Sequence, residues 1–190
     1  MAGAVALSLV AAACGGGGGG GSHASSATKQ FHSAVYGYTL SHPAAWSEVA
    51  ATKLLQDGQP PATGGDATDI LAVNASRKVH DITLPALVIG GQRVAPTVTI
   101  DRWASDVGST VSFMKSCAQP DGREAVTVGR EQAMLLRYDD CPKGSGLFHF
   151  WVAVVHRGVG YHIVWFDQKS NEATDRAAFD KVLKSVVFNG

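Results

Sequence analysis

The chain has 190 residues, 45% of them apolar and 17% charged, which suits one well-buried domain and leaves little for a second. Sixteen Lys and Arg balance sixteen Asp and Glu, so there is no global field of the kind that draws a protein onto nucleic acid or anionic lipid. No charged side chain precedes Lys29, and the first 28 residues therefore read as a separate object.

Residues 4–13 (AVALSLVAAA) are a short apolar core followed by small residues, the pattern of an export signal. The stretch is about half of the roughly 20 residues that cross a hydrocarbon layer. Its end, Ala11-Ala12-Ala13-Cys14, resembles the bacterial lipobox. That resemblance implies cleavage before Cys14, a diacylglyceryl group on its thiol, and acylation of the new amino terminus. With each buried methylene contributing about 0.8 kcal/mol, two or three acyl chains would anchor the protein stably. Seven glycines and a run of small polar residues follow, a flexible tether with a reach of roughly 20 Å from Gly15 to Thr28. The plainer alternative is a soluble low-complexity tail with an incidental cysteine. The expected division is a signal over 1–13, lipidated Cys14 with its tether over 14–30, and a domain over 31–190 on the outer face of a bacterial cell membrane.

Within the domain, 35–40 (VYGYTL) is a β-rich run, SHPAAW is a turn, and 46–49 is the expected returning strand. Residues 57–66 (DGQPPATGGD) lack any apolar period and read as a surface loop. Strands are expected at 70–75, 86–94, 125–128 and 132–138. The two strongest are 147–155 (LFHFWVAVV) and 161–166 (YHIVWF), joined by HRGVG as a hairpin, with apolar residues on both faces. Ile100, Trp103, Val107, Val111 and Met114 share one helical face, with Thr97 or Thr99 as N-cap. A second helix over 172–186 carries the stripe Phe179, Val182, Leu183 and Val186, capped by Ser170 or Asn171. Helices on both faces of a mainly antiparallel sheet define an α+β fold, an α/β/α sandwich.

The stretch YGYTLSHPAAW resembles the opening hairpin of PsbP-like domains, and GYHIVWF followed by AAFDKVLKSVVF resembles their closing strand and last helix. The lipobox makes the chain most similar to the actinobacterial LpqN-type lipoproteins. The resemblance implies an antiparallel sheet between helices and no catalytic set. Its members include a photosystem II extrinsic subunit and a protein that binds a nuclear GTPase, so it implies no single activity.

With Cys14 assigned to lipid, Cys117 and Cys141 form an even pair in an exported chain, which favours a disulfide over two free thiols. His149, His156 and His162 invite a metal reading. A two-residue turn at Arg157 and Gly158 sets His162 opposite Ala153 and His149 opposite Phe166, roughly 13 Å apart along the ladder. That is too far for one zinc ion at bond lengths of about 2.0 to 2.1 Å, so satisfied sheet histidines are expected, and no metal or cofactor. Gly144-Ser145-Gly146 lacks the nucleophile-elbow spacing, and no phosphate loop, dinucleotide fingerprint or C-x-x-C occurs. Trp103 and Trp151 or Trp165 have core positions on the helix stripe and central strands, whereas Trp46 suits core or ligand cleft equally. Asn74-Ala75-Ser76 spells a glycosylation sequon on an expected strand and carries no weight.

The expected function is non-catalytic binding of a partner protein or small hydrophobic ligand by a lipid-anchored envelope protein, with contact through the loop at 57–69. The rivals are an envelope enzyme whose residues converge only in the fold, and a photosystem-type extrinsic subunit. The latter needs an Arg-rich transit peptide, and this leader has no Arg.

Overall fold

The computed structural model describes residues 27–56, 65–72, 78–79, 82–83, 86–111, 117 and 119–189. In chain order the strands are β1 (Thr28–Ser33), β2 (Tyr38–Pro43), β3 (Ser47–Val49), β4 (Asp69–Ala72), β5 (Lys78–Val79), β6 (Ile82–Thr83) and β7 (Ala86–Arg93). Helix α1 (Ile100–Val111) follows, then β8 (Gly122–Val128), β9 (Glu131–Asp139), β10 (Leu147–His156) and β11 (Val159–Gln168). Helix α2 (Glu172–Ser185) and β12 (Val187–Phe188) close the fold.

The β10–β11 hairpin is its centre. Arg157 and Gly158 both take positive φ, 47° and 76°, which matches the right-handed twist of the strands they join. The turn fixes the register, with His156 opposite Val159, Ala153 opposite His162 and His149 opposite Phe166. Around this pair the sheet grows to seven strands in the order β3-β4-β7-β11-β10-β9-β8, all paired antiparallel. Residues 147–154 are buried without alternation, because both sheet faces are covered.

Helix α1 covers one face. Thr99 is its N-cap, its hydroxyl accepting a hydrogen bond from the Arg102 N–H at 3.2 Å. Trp103, Val107 and Val111 bury against Leu136, Tyr138, Trp151 and Val164. Gly160 makes the close approach possible, since a Cβ there would lie 2.6 Å from the Trp103 ring, whose indole N–H donates to the Tyr161 carbonyl at 2.7 Å. Gly160→Ala should cost about 1–3 kcal/mol, the penalty of overpacking a core, read as a lower urea midpoint. An unchanged midpoint would mean that Trp103 can move aside freely.

The opposite face carries α2 and a small sheet in the order β1-β2-β12. Phe179, Val182, Leu183 and Val186 are buried there with Phe150, Ile163 and Trp165. Thus one layer is a helix and the other is a helix with three strands, an α+β fold as the apolar pattern implies.

Several expectations are corrected. The 46–49 strand was expected to return on 35–40, but β3 pairs with β4 instead. The partner of β2 is β1, with Thr28 opposite Pro43. Pro43 is tolerated because β12 reaches only Tyr38 and Thr39, leaving that end of β2 paired on one side. Since β1 begins at Thr28, the last three residues of the expected tether belong to a sheet. Asn171 sits at the α2 N-cap without capping it, and its amide donates to the Asp167 carboxylate at 2.7 Å. Residues 57–64, Asn74, Ser76 and Met114 lie outside the described residues.

Candidate functional site

Helix α2 buries Phe179, Val182 and Leu183 in its second half, while Glu172, Ala173 and Arg176 of its first half line a cleft beside strand β8. The resulting cleft encloses about 500 Å³ between Glu124 of β8, Arg137 of β9 and Glu172, Ala173 and Arg176 of α2. Leu135 and Phe150 form its apolar floor. Four of its charges, Glu124, Arg137, Glu172 and Arg176, are held in ion pairs. The Arg176 guanidinium donates to both Glu124 carboxylate oxygens at 2.9 and 3.0 Å and to Asp180 at 2.9 Å. This fork holds the Glu124 carboxyl below its ordinary pKa. The same guanidinium lies 5.6 Å from the Phe150 ring centroid. Arg137 bridges Asp139 at 3.2 Å and Glu172 at 3.6 Å, and Lys169 pairs with both of those carboxylates.

A second cleft of about 390 Å³ opens on the other face, between Ser105, Gly108 and Ser109 of α1 and the β8–β9 edge. Arg123 lines both clefts. The Tyr138 hydroxyl adjoins Gly108 and has no hydrogen-bond partner among the described residues, and burial pushes its pKa up to about 12.

Cys117 and Cys141 are joined by a disulfide with Cα atoms 5.7 Å apart, tying Cys117, which packs in the α1-side core, to the 140–146 loop. Cys14 lies outside the described residues. In that loop the Asp140 carboxylate accepts the Gly144 and Gly146 N–H groups, both at 2.8 Å, so the Gly-Ser-Gly run is a turn held by an acid.

The histidines separate. His149 bonds the Cys141 carbonyl through Nε2 at 2.6 Å and stacks on Phe166, and His156 meets Glu131 at 2.9 Å and stacks on Phe188. His162 corrects the expectation of satisfied sheet histidines, because its Nε2 has no hydrogen-bond partner among the described residues and burial pushes its pKa down to about 3. Its ring lies over Gly90, where a Cβ would sit 2.4 Å from Nε2. Among the described residues no three His, Cys, Asp or Glu side chains are grouped to hold a metal.

All four tryptophans are buried. Trp46 stacks on His42 and lies 5.3 Å from Trp165, which resolves its two readings in favour of the core. A further polar cluster is structural. Buried Asp69 accepts the Tyr38 hydroxyl at 2.6 Å and the Ala51 N–H at 2.7 Å, while the Tyr36 hydroxyl donates to the Ala67 carbonyl and accepts from Leu55 N–H at 3.2 Å. Burial, then the Asp69 charge, holds the Tyr38 hydroxyl well above its ordinary pKa. These bonds pin Ala51, Leu55 and Ala67 to the strands.

The geometry defines a sheet protein with two clefts beside one edge strand. The frame is the PsbP-like fold. No protein-family profile and no curated protein sequence matches the chain. Solved structures do. Cyanobacterial PsbP (CyanoP) from Synechocystis sp. PCC 6803 superposes with a TM-score of 0.57 at 16% identity, over 92% of this chain and 98% of its own. The Saccharomyces cerevisiae Ran-binding protein Mog1p superposes with a TM-score of 0.54 at 9% identity, over 86% of this chain and 96% of its own. LpqN, involved in cell envelope biogenesis of Mycobacterium tuberculosis, aligns at 12% identity over 86% of this chain and 91% of its own, with a TM-score of 0.41. At such identities the likeness to CyanoP and Mog1p establishes the fold alone. No helix among the described residues is long and apolar enough to cross a membrane.

Proposed function

We propose that this protein is a non-catalytic recognition module, held at the outer face of a bacterial cell membrane by lipid on Cys14, that binds a partner protein. The observation that carries the recognition reading is the α2-side cleft, where the two-oxygen Arg176–Glu124 fork and the Arg137 pairs set a fixed polar rim around an apolar floor. Such a rim pays its ordering entropy on folding rather than on binding, which suits selective docking. Charges already neutralised by neighbours are poorly placed to activate a nucleophile or shuttle a proton. That Mog1p, of the same fold, is a Ran-binding protein supports a protein partner. The anchor rests on the apolar 4–13 stretch followed by Cys14, with seven glycines next in the sequence.

Two measurements test this reading. Mass spectrometry of the native protein should find an acylated Cys14 as the first residue, whereas an unmodified chain beginning at Met1 would exclude the anchor. Affinity capture from the native envelope should recover a partner that Arg176→Ala reduces at least tenfold at unchanged melting temperature. Equal recovery with the variant would remove the cleft from the contact.

A further inference from the structure

The seven-stranded sheet has two edges. One, β3, is three residues long, while the other, β8, offers seven residues in continuous register with β9. Among the described residues nothing pairs with the outer side of β8. An edge strand of this length presents a row of free N–H and C=O groups, a ready template for another strand.

The side chains around β8 alternate in a way that matches such an addition. Gly122, Glu124 and Val126 stand opposite Arg137, Leu135 and Ala133, on the α2 side. Arg123 and Ala125 stand opposite Leu136 and Met134, on the α1 side. Both clefts reach the first half of this strand, the α2-side one at Gly122, Arg123 and Glu124 and the α1-side one at Arg123. A strand lying beside β8 would therefore send successive side chains alternately into the α2-side and α1-side clefts. Gly122 adds no side chain to obstruct the first. At the far end, the Gly129 N–H is taken by the Leu183 carbonyl at 2.8 Å, which leaves the stretch from Gly122 to Thr127 for pairing.

Charge selects among candidates. The other cleft cations, Arg137 and Arg176, are ion-paired, whereas exposed Arg123 has no hydrogen bond or ion pair among the described residues. A residue opposite Arg123 shares its side of the sheet, so a carboxylate there would meet the guanidinium.

We propose that β8 is a docking edge for an extended acidic segment of a partner protein, which adds as an eighth strand with alternate side chains in the two flanking clefts and a carboxylate on Arg123. This rests on the partner-binding reading above and specifies how the partner is held.

The test is to pan a library of random twelve-residue peptides against the purified full chain. Enriched peptides should share a period-two pattern with Asp or Glu in one phase. The strongest, made synthetically, should slow amide exchange in β8 at alternate residues at least tenfold and perturb the resonances of Arg123, Gly108 and Ala173. Arg123→Glu, an exposed change, should weaken that peptide at least tenfold and turn the selection toward Lys or Arg. No enrichment over a bare-surface control, binding that leaves β8 exchange unaltered, or indifference to Arg123→Glu would each overturn the proposal. So would sedimentation showing a second copy already paired through β8. If envelope capture still depends on Arg176 while the peptides fail, partner binding stands and strand addition falls; if both fail, both fall.

Discussion

Reducing the Cys117–Cys141 bridge should lower the melting temperature of this protein by about 10 °C, following from a loss of about 3.5 kcal/mol in the chain-entropy account of cross-links. The two residues lie 24 apart in sequence, and the bond closes a loop that contains the two strands β8 and β9. Without it the unfolded chain regains that loop's freedom, while the folded state loses the link between the α1 layer and the 140–146 loop. The Cys141 carbonyl also receives the His149 ring, so the local effect extends to the buried face of β10. A Cys117→Ser/Cys141→Ser double variant should melt at the temperature of the reduced wild type. Full thiol release with no change in melting would show that packing alone fixes the loop.

Acid should destabilise the fold through His162 well before the carboxylates titrate. Burial holds its folded pKa near 3, against an ordinary 6.5, so the ring is neutral in the native state and free to protonate only on unfolding. The unfolded chain then binds more protons between those two values, and stability rises with pH across them. The contribution is complete above about pH 6.5 and falls on acidification by about 1.4 kcal/mol per pH unit, until it is lost near pH 3. His149, also lowered by burial, acts in the same direction. Urea unfolding at pH 7, 6, 5 and 4.5 reads the slope, and His162→Leu should flatten it. A variant that keeps the wild-type slope would place the proton uptake elsewhere.

The most legible part of the fold was the β10–β11 hairpin, because a two-residue turn leaves one register and each strand's apolar run is long. Helices α1 and α2 were equally plain from their stripes, with the Thr99 cap a local hydrogen bond between near neighbours. The pairing of β3 was misread because it is fully exposed along its three residues and carries no inward pattern, so adjacency to the preceding run was the one available guide. Its true partner, β4, lies about twenty residues further along the chain. The three-stranded sheet was hidden for a similar reason, since β12 has two residues and β1 buries little beyond Phe31 and Ser33.

Of the candidate site, the Arg176–Asp180 spacing on α2 was readable, as an i,i+4 pair on a helix. The fork to Glu124 was not, because 52 residues separate its members and the fold alone brings them together. Arg123 likewise gains meaning from the edge it occupies. The orphaned His162 nitrogen could not be foreseen either: hairpin register placed the ring on its face, while Gly90 beneath it comes from a third strand.

Strand β2 meets the incoming chain at one end, Thr28 beside Pro43, and the outgoing chain at the other, Phe188 beside Tyr38. Entry and exit are thus set apart by roughly 17 Å along a single ladder. A fluorophore or fusion attached after Asn189 would accordingly sit at the far end of that ladder from Thr28, where it can report on encounters without crowding the incoming strand.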